Sequence, residues 1–341
     1  MNKISFSPNS ITKKLLSSLD TRPKKVLEER FGLVSLEPRT LESIGQEYGI
    51  TRERVRQIEA FAINKIRNSE AFKQISDVFN ELQESIDSKG GLVQEDDFLS
   101  FLSKKKQEQR HFFFLLVVGE PFTRLKENEY FHHSWAVDAN YASDIRDALK
   151  RVHNEITDDR LFAEKEVISV FEKHLNDVIE KKLEQEVLLS LLKVSRVISK
   201  NPLGEWGVAS SPFIKPRGMR DYAFLVMRKH GSPMHFTEVA EAIQKIFSRM
   251  AHTQTVHNEL IKDDRFVLVG RGLYALKEWG YENGIVRDVI CNILKDDTPM
   301  RRDDIVKRVL KERYVKENTI LVNLQNTNYF KKDSEGKYTL I

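Results

Sequence analysis

The stretch Thr40–Arg67 limits the fold of this chain more than any other segment. Apolar residues recur there at three- and four-residue spacings in two runs, which indicates two short amphipathic helices. Gly49 separates the runs and supplies the backbone freedom of a tight turn, and Thr51 is placed to cap the second helix through its hydroxyl. The pattern predicts a helix-turn-helix. Its apolar positions are Leu41, Ile44, Tyr48, Val55, Ile58, Ala62 and Ile66.

The opposite face of the second helix is polar near its N-terminus. That face carries Arg52, Glu53, Arg56 and Gln57. A helix fits the major groove of DNA, where Arg bridges guanine acceptors, Gln pairs with adenine and Glu accepts from cytosine. Residues near the N-terminus of such a helix reach base edges. The alternative is a solvated, charged face on an ordinary helical hairpin.

The residues of this helix carry a family resemblance. Thr51–Ala60, with the sequence TRERVRQIEA, resembles the recognition helix of region 4 in sigma-70 family factors. Leu19–Leu33 resembles the helix that comes just before the helix-turn-helix in that family. The similarity covers roughly the first fifth of the chain. It implies DNA recognition by this module.

The resemblance also implies roles for single residues. In the family, the positions of Arg52, Glu53 and Gln57 read bases of the promoter's upstream hexamer. Those of Arg54 and Arg56 contact mostly phosphate or flanking bases. We therefore expect base contacts from one set of residues and phosphate contacts from another. The base set is Arg52, Glu53, Arg56 and Gln57, and the phosphate set is Lys24, Lys25, Arg39 and Arg54.

The position of the module departs from the family. Sigma factors carry region 4 at their C-terminal end, after domains that bind polymerase and melt the promoter. Here it lies near the N-terminus, and no aromatic-rich melting segment comes after it. We therefore expect that this chain is not a complete sigma factor.

The distribution of charge is consistent with a nucleic-acid partner. The formal net charge is +4, from 55 Lys and Arg against 51 Asp and Glu. Residues 1–80 contain 14 basic and 10 acidic residues, which leaves 41 of each sign in residues 81–341. The excess positive charge thus lies with the helix-turn-helix, where a phosphate-binding surface needs it.

Composition indicates a globular protein of a reducing compartment. A chain of 341 residues suggests two to four domains. The single cysteine, Cys291, cannot form an intrachain disulfide. The longest apolar run, Phe112–Val118, is too short to span a bilayer, and the N-terminus has no secretory signal. We expect a cytoplasmic protein without a membrane partner.

The rest of the chain reads as a repeated unit. Two copies show helices followed by a strand, a tight turn and another strand, which is the winged-helix plan. The predicted fold class is mainly α with small β wings, a helix-turn-helix followed by tandem winged-helix-like units. The predicted domains are residues 11–87 (helix-turn-helix), 92–216 (one or two degenerate winged units), 217–281 and 284–341 (one winged unit each).

The winged unit at residues 217–281 has a family resemblance of its own. Met234–Ala240, His257–Leu260 and Phe266–Leu276 resemble segments of the HARE-HTH winged helix. That family includes the N-terminal domain of the delta subunit of bacterial RNA polymerase. The resemblance implies binding of nucleic acid or of the polymerase, without assigning particular contact residues.

The segment 92–216 is less regular. Its apolar runs at Phe112–Val118 and Trp135–Val137 predict strands of a small sheet. Helices are predicted at Asp96–Lys104, Ala142–Ile156, Ala163–His174 and Glu184–Val194, with a final hairpin at Val197–Lys200 and Trp206–Ala209.

No motif indicates catalysis, and we expect no enzyme, cofactor, metal or small-molecule substrate. Neither a phosphate-binding loop nor a dinucleotide fingerprint is present. His132 and His133 lack the partners of a zinc site, and His252 and His257 are spaced for different helix faces. Paired aspartates fall mostly at helix ends or turns, where they complement the helix dipole. They are Asp96-Asp97, Asp158-Asp159, Asp263-Asp264, Asp296-Asp297 and Asp303-Asp304.

Three functional hypotheses arise from the sequence. The first is a transcription regulator that reads promoter-type duplex DNA through Thr51–Arg67. The second is an accessory protein that binds RNA polymerase through protein contacts. The third is an architectural DNA binder, whose wings track the backbone with steep salt dependence and little sequence discrimination.

Overall fold

A computed structural model describes residues 4–35, 37–156, 160–179, 182–281 and 284–341. The chain divides into two compact units, Met1–Ile214 and Lys215–Ile341. Helices dominate both units, and the strands form small antiparallel sheets. The predicted class, mainly α with small β wings, is confirmed. Along the described residues, no helix has the length and apolar character that crossing a membrane requires.

The helix-turn-helix forms as predicted. The threonine hydroxyls of Thr40 and Thr51 accept hydrogen bonds from the amides of Ser43 (3.1 Å) and Arg54 (3.2 Å), so each helix has a capped start. Gly49 ends the first helix with φ of 61°. The N-terminal helices are α1 (Pro8–Leu16), α2 (Thr21–Phe31), α3 (Leu41–Tyr48), α4 (Arg52–Arg67), α5 (Glu70–Lys73) and α6 (Ser76–Asp87).

A continuous apolar stripe at residues 71–86 is divided between α5 and α6. The chain leaves helical geometry at Ile75, whose side chain is buried. In one straight helix, residues seven apart lie about 10 Å apart along the axis. The bend brings the rings of Phe72 and Phe79 to 5.0 Å, so both pack in one core.

The middle of the chain holds two small sheets among its helices. Its elements are β1 (Leu92–Gln94), α7 (Glu95–Leu102), α8 (Lys106–Val118), β2 (Thr123–Leu125), β3 (Ser134–Ala136), α9 (Ala139–Glu155), α10 (Glu164–Asn176), α11 (Gln185–Leu192), β4 (Ile198–Lys200) and β5 (Trp206–Val208). The predicted helices and final hairpin match these elements.

The predicted strand at Phe112–Val118 is wrong, because this run is the second half of α8. Helices α1, α2, α4 and α7 all contact α8. Within the run only Phe113 and Val117 are partly exposed, and every residue is apolar, so periodicity cannot tell the run from a buried strand. Phe114, Leu115 and Leu116 have no exposed surface.

Helix α8 also joins the helix-turn-helix to the rest of the first unit. One hydrophobic core contains Leu15 and Ile66 together with Phe114 and Leu116. The guanidinium of Arg67, at the end of α4, donates to the carbonyl oxygens of Val117 (3.1 Å) and Val118 (2.9 Å). The module is therefore packed into the first unit and is not suspended on a linker.

The second unit contains two winged helices in sequence. The first consists of α12 (Met219–His230), β6 (Met234–His235), α13 (Phe236–Phe247), α14 (Thr253–Lys262), β7 (Phe266–Leu268) and β8 (Leu273–Leu276). The second consists of α15 (Val286–Asp296), β9 (Met300–Arg301), α16 (Arg302–Glu312), α17 (Glu317–Leu324), β10 (Phe330–Lys332) and β11 (Lys337–Leu340). The two-residue strands β6 and β9 were not predicted, since two residues show no alternation.

The same order of elements also occurs twice in the first unit. A helix, a short extended segment, two helices and a hairpin run from α6 to β3 and again from α9 to β5. In each copy the last strand pairs with both the first hairpin strand and the extended segment. In the copy that starts at α9, that segment is a single bridge between Phe162 and Trp206. We propose that α6 begins the first of four winged units.

The packing predicts a difference between two valines of the helix-turn-helix region. Val55 has no exposed surface, whereas Val34 is 76% exposed. Val55→Ala should lower the free energy of unfolding by about 2 kcal/mol, from two buried methyl groups and a cavity. Val34→Ala should change it by less than about 0.5 kcal/mol. Urea denaturation of the full chain measures both, and equal losses would contradict the packing.

Candidate nucleic-acid interface

The outward face of α4 is open to solvent. Arg52, Glu53, Arg56 and Gln57 are all exposed in the first two turns of the helix. Val55, Ala62 and Ile66 line the opposite side and have no exposed surface. Because successive residues rotate by about 100° around a helix, burying one side fixes the direction of the other. The structure brings the four predicted base-contacting residues onto one accessible surface.

Two of these side chains form a bidentate ion pair. Arg56 Nε and Nη2 donate to the two carboxylate oxygens of Glu53 at 2.8 and 2.7 Å. The hydrogen bond from Arg56 lowers the pKa of Glu53, and the carboxylate in turn raises the pKa of Arg56. Both groups are fully solvated, so water and salt screen the pair and other partners can replace it.

Arg54 and Gln57 form a second pair on this face. Arg54 Nη1 donates to Gln57 Oε1 at 3.1 Å. This contact occupies one lone pair of the amide oxygen, and the Gln57 side chain also hydrogen-bonds to the Glu53 carboxylate. The amide is thereby oriented before any ligand arrives.

Arg39 has a structural role that its sequence did not reveal. Its guanidinium donates to Glu29 Oε2 (2.9 Å) and to the carbonyl oxygen of Ser43 (3.0 Å), and it pairs with Glu47. The hydrogen bond with Glu47 is the main cause of the raised pKa of Arg39. Glu29 also accepts from the Tyr48 hydroxyl at 2.9 Å. Arg39 therefore connects α2 to α3.

The other predicted phosphate contacts lie on α2 and α4. Lys25 and Arg54 are exposed, and Lys24 is half-buried in the first turn of α2. Helix α2 packs against both α3 and α4, so these basic residues belong to the same module as the outward face.

Sequence reasoning missed the far half of the same face. Ala60, Phe61 and Asn64 are exposed, at spacings of three, four and seven from Gln57. Phe61 is 59% exposed. Their helical spacing from Gln57 was the signal in the sequence that places them on this face.

The aspartate and histidine side chains that could bind a metal have ion-pair, hydrogen-bond or stacking partners in the protein. No group of three metal-ligating side chains occurs in the described part of the chain. Aspartates of the paired set bond to neighbouring cations: Asp97 to Lys193, Asp263 to Arg265, Asp297 to Arg308 and Asp303 to Arg302. The ring of His257 stacks on Phe236 at 4.3 Å, and His133 Nδ1 accepts from the amide of Glu127. Asp158 and Asp159 lie outside the described residues.

Comparison with known proteins decides what the module is similar to. The family described as "Sigma-70, region 4" matches residues 15–68. The N-terminal module is therefore similar to region 4 of sigma factors. A second family, the HARE-HTH domain named in part after restriction endonucleases, matches residues 217–279 and therefore the winged helix that begins at α12. Both suspected resemblances are confirmed.

Curated relatives of this chain include RNA polymerase sigma factors. RNA polymerase sigma factor SigA of Clostridium acetobutylicum is 48% identical over 64 residues, which is 19% of this chain and 17% of the relative. SigA of Listeria monocytogenes is 48% identical over 63 residues, or 18% and 17%. RpoD of Neisseria gonorrhoeae is 42% identical over 83 residues, or 24% and 12%. The chain thus spans less than a fifth of the length of these sigma factors.

These matches support a DNA-binding role related to RNA polymerase. They concern a sigma region 4 domain and a helix-turn-helix domain of a separate family, on one chain. The matches cover less than a fifth of each sigma factor. The DNA target, the partners and the regulatory effect of this protein are therefore proposals.

A half-buried carboxyl of α4 gives a pH-dependent prediction. Burial raises the pKa of Glu59 above its ordinary 4.5, against the attraction of Arg30 at 3.7 Å. A carboxyl with a raised folded-state pKa contributes most to stability below its unfolded pKa, and this contribution is lost as pH rises through the folded value. Glu59→Gln resembles the protonated form, so it should raise the Tm at pH 7. The gain should fade below about pH 4.5.

Glu53→Gln is the matched control, because its carboxyl has a lowered pKa and is exposed. This variant should give no gain in Tm at pH 7. Thermal melts of both variants between pH 4 and 8 provide the measurement. A gain at Glu59 that is independent of pH would contradict the assignment.

Proposed function

We propose that the protein is a cytoplasmic, non-enzymatic transcription regulator that binds promoter-type duplex DNA through α4. The observation that carries this proposal is the accessible polar face of α4, held outward by its buried apolar side. Arg52, Glu53, Arg56 and Gln57 read bases in the major groove. Lys24, Lys25, Arg39 and Arg54 hold phosphates on either side of the groove.

The ion pair on α4 is suited to exchange on binding. Water and salt weaken an exposed pair, so a guanine or a phosphate can replace Glu53 as the partner of Arg56. The released Glu53 carboxylate accepts from the amino group of cytosine. The pair thus keeps both side chains ordered and solvated until a matching base pair is present.

Gln57 changes partners in the same way. Bidentate recognition of adenine needs the amide oxygen as acceptor and the NH₂ as donor. In the free protein the oxygen accepts from Arg54 at 3.1 Å. Arg54 moves to a phosphate when the amide turns to the base. Arg39 differs from Arg54, because a phosphate bound by Arg39 replaces partners that connect α2 to α3.

Gln57→Ala tests base readout directly. The variant should lose about 1–3 kcal/mol of discrimination at one base position, while weak nonspecific binding stays nearly unchanged. The matched control is Gln74→Ala, since Gln74 is an exposed glutamine outside α4. Selection from a random duplex pool followed by competition with single-base variants measures the preference. Equal selected sites for parent, Gln57→Ala and Gln74→Ala would refute readout through this helix.

A polymerase-binding accessory role is the second candidate function. It is favoured by the printed names of the relatives, which are RNA polymerase sigma factors. Our proposal predicts that polymerase recovered with the tagged chain from lysate is released by nuclease. Retention after nuclease treatment, and in the Gln57→Ala variant, would instead favour direct protein contact. Salt-sensitive binding without a selected sequence would favour an architectural role.

A further inference from the structure

The two winged helices of the second unit have the same sheet in the same register. We call them the HARE-type copy (219–276) and the C-terminal copy (286–340). In each, the last strand pairs with the two others, and every residue pair of one sheet has an equivalent in the other. On the inner faces, which meet the helices, four equivalent positions have the same residue type, and a fifth differs, with Leu268 in one copy and Lys332 in the other. The equivalent pairs are Met234 and Met300, Phe266 and Phe330, Tyr274 and Tyr338, and Leu276 and Leu340.

The outer faces are different. Strand alternation places the intervening residues on the side away from the helices. In the HARE-type copy they are His235, Val267, Leu273 and Ala275, and in the C-terminal copy they are Arg301, Lys331, Lys337 and Thr339. A face built from apolar residues and a histidine in one copy thus has three cations in the other.

The apolar outer face of the HARE-type copy is covered by its own chain. Val267 and Ala275 have no exposed surface, and Trp279 and Tyr281 pack against them. At the end of this sheet the amide of Tyr314 donates to the carbonyl oxygen of Val269 at 2.9 Å. The equivalent face of the C-terminal copy keeps Arg301 and Lys331 exposed.

The three cations of the C-terminal copy lie close enough on one face of the sheet to repel one another. Arg301 lies directly opposite Lys337 across the strands, and Lys331 lies on the diagonal, opposite Thr339. Like charges in opposite positions of a sheet repel each other. Among the described residues, one acid, Glu335, forms an ion pair with any of these three cations. It accepts from Lys337 Nζ at 2.9 Å and is itself exposed in the hairpin turn. Two positive charges therefore remain unbalanced on this face.

We propose that the outer face of β9, β10 and β11 binds the phosphate backbone of duplex DNA without reading sequence. A row of anions removes the repulsion between Arg301, Lys331 and Lys337 and releases condensed counterions. The Thr339 hydroxyl donates to the carbonyl oxygen of Lys331 at 3.5 Å, a long hydrogen bond that a phosphate oxygen can replace as acceptor. The choice of a duplex as ligand rests on the proposed function of α4. The surface itself is a separate observation.

The test uses the full chain with three substitutions, Arg301→Gln, Lys331→Gln and Lys337→Gln. Binding of a random-sequence duplex is measured across a range of salt. Each lost phosphate contact should lower the slope of log affinity against log salt by about 0.9, so we expect a decrease of about 2–3. The control triple is Lys295→Gln, Lys307→Gln and Lys311→Gln, which removes the same charge from exposed helix positions of the same copy. Its slope should change by less than one.

Both triples are also made in a chain that carries Arg52→Ala, Arg56→Ala and Gln57→Ala. A decrease in slope specific to the sheet triple in both backgrounds supports the inference. If that decrease is present but the parent selects no sequence, the proposed function fails and the inference stands. The inference is overturned by an unchanged slope, by equal changes in both triples, by a parent that binds no duplex, or by binding of polyglutamate in preference to duplex. Circular dichroism of every variant confirms that the fold is retained.

Discussion

The packing of α4 against the rest of the first unit determines what its other side can present. Val55 and Ile66 fix the rotation of the helix, and the bonds from Arg67 to the last carbonyls of α8 fix its end. A rotation of α4 by one residue would turn its outward face by about 100°. The base-reading hypothesis depends on this anchorage more than on any single polar contact. Helix α8 is therefore part of the support for the module.

Charged contacts add a second level of order. Arg39, Glu29 and Tyr48 connect α2 and α3 on one side of the module, where the groups are partly shielded from water. On the outward face, by contrast, Arg56 pairs with Glu53 in full contact with solvent. The shielded contacts hold the shape, and the solvated ones are free to change partner. This division lets one helix be rigid in its backbone and adaptable in its side chains.

The sequence predicted what is local and missed what depends on distant packing. Helices α3 and α4 were predictable from caps, a glycine turn and apolar spacing, all within about 28 residues. The second half of α8 is a run of apolar residues, so its periodicity does not distinguish a helix from a strand, and only its packing against neighbouring helices does. The role of Arg39 needed Glu29 and Glu47, which no spacing rule connects to it. The proposed roles of Arg52, Glu53, Arg56 and Gln57 came from family resemblance, and the structure adds their accessibility.

The matching inner faces of the last two sheets have a consequence for how the chain folds. Tyr274 and Tyr338 offer Met300 the same residue type, so β9 has two similar edges to pair with while the chain is still unfolded. At the wrong edge Arg301 would lie opposite Leu273, so it would avoid the repulsion by Lys337. Loop length does not protect the native pairing, because Met300 lies 26 residues from Tyr274 and 38 from Tyr338 (300 − 274 and 338 − 300), and the shorter loop closes at the smaller entropic cost. In the folded HARE-type copy β6 occupies that edge of β8. Internal duplication thus makes correct pairing of β9 depend on the earlier folding of the copy that precedes it.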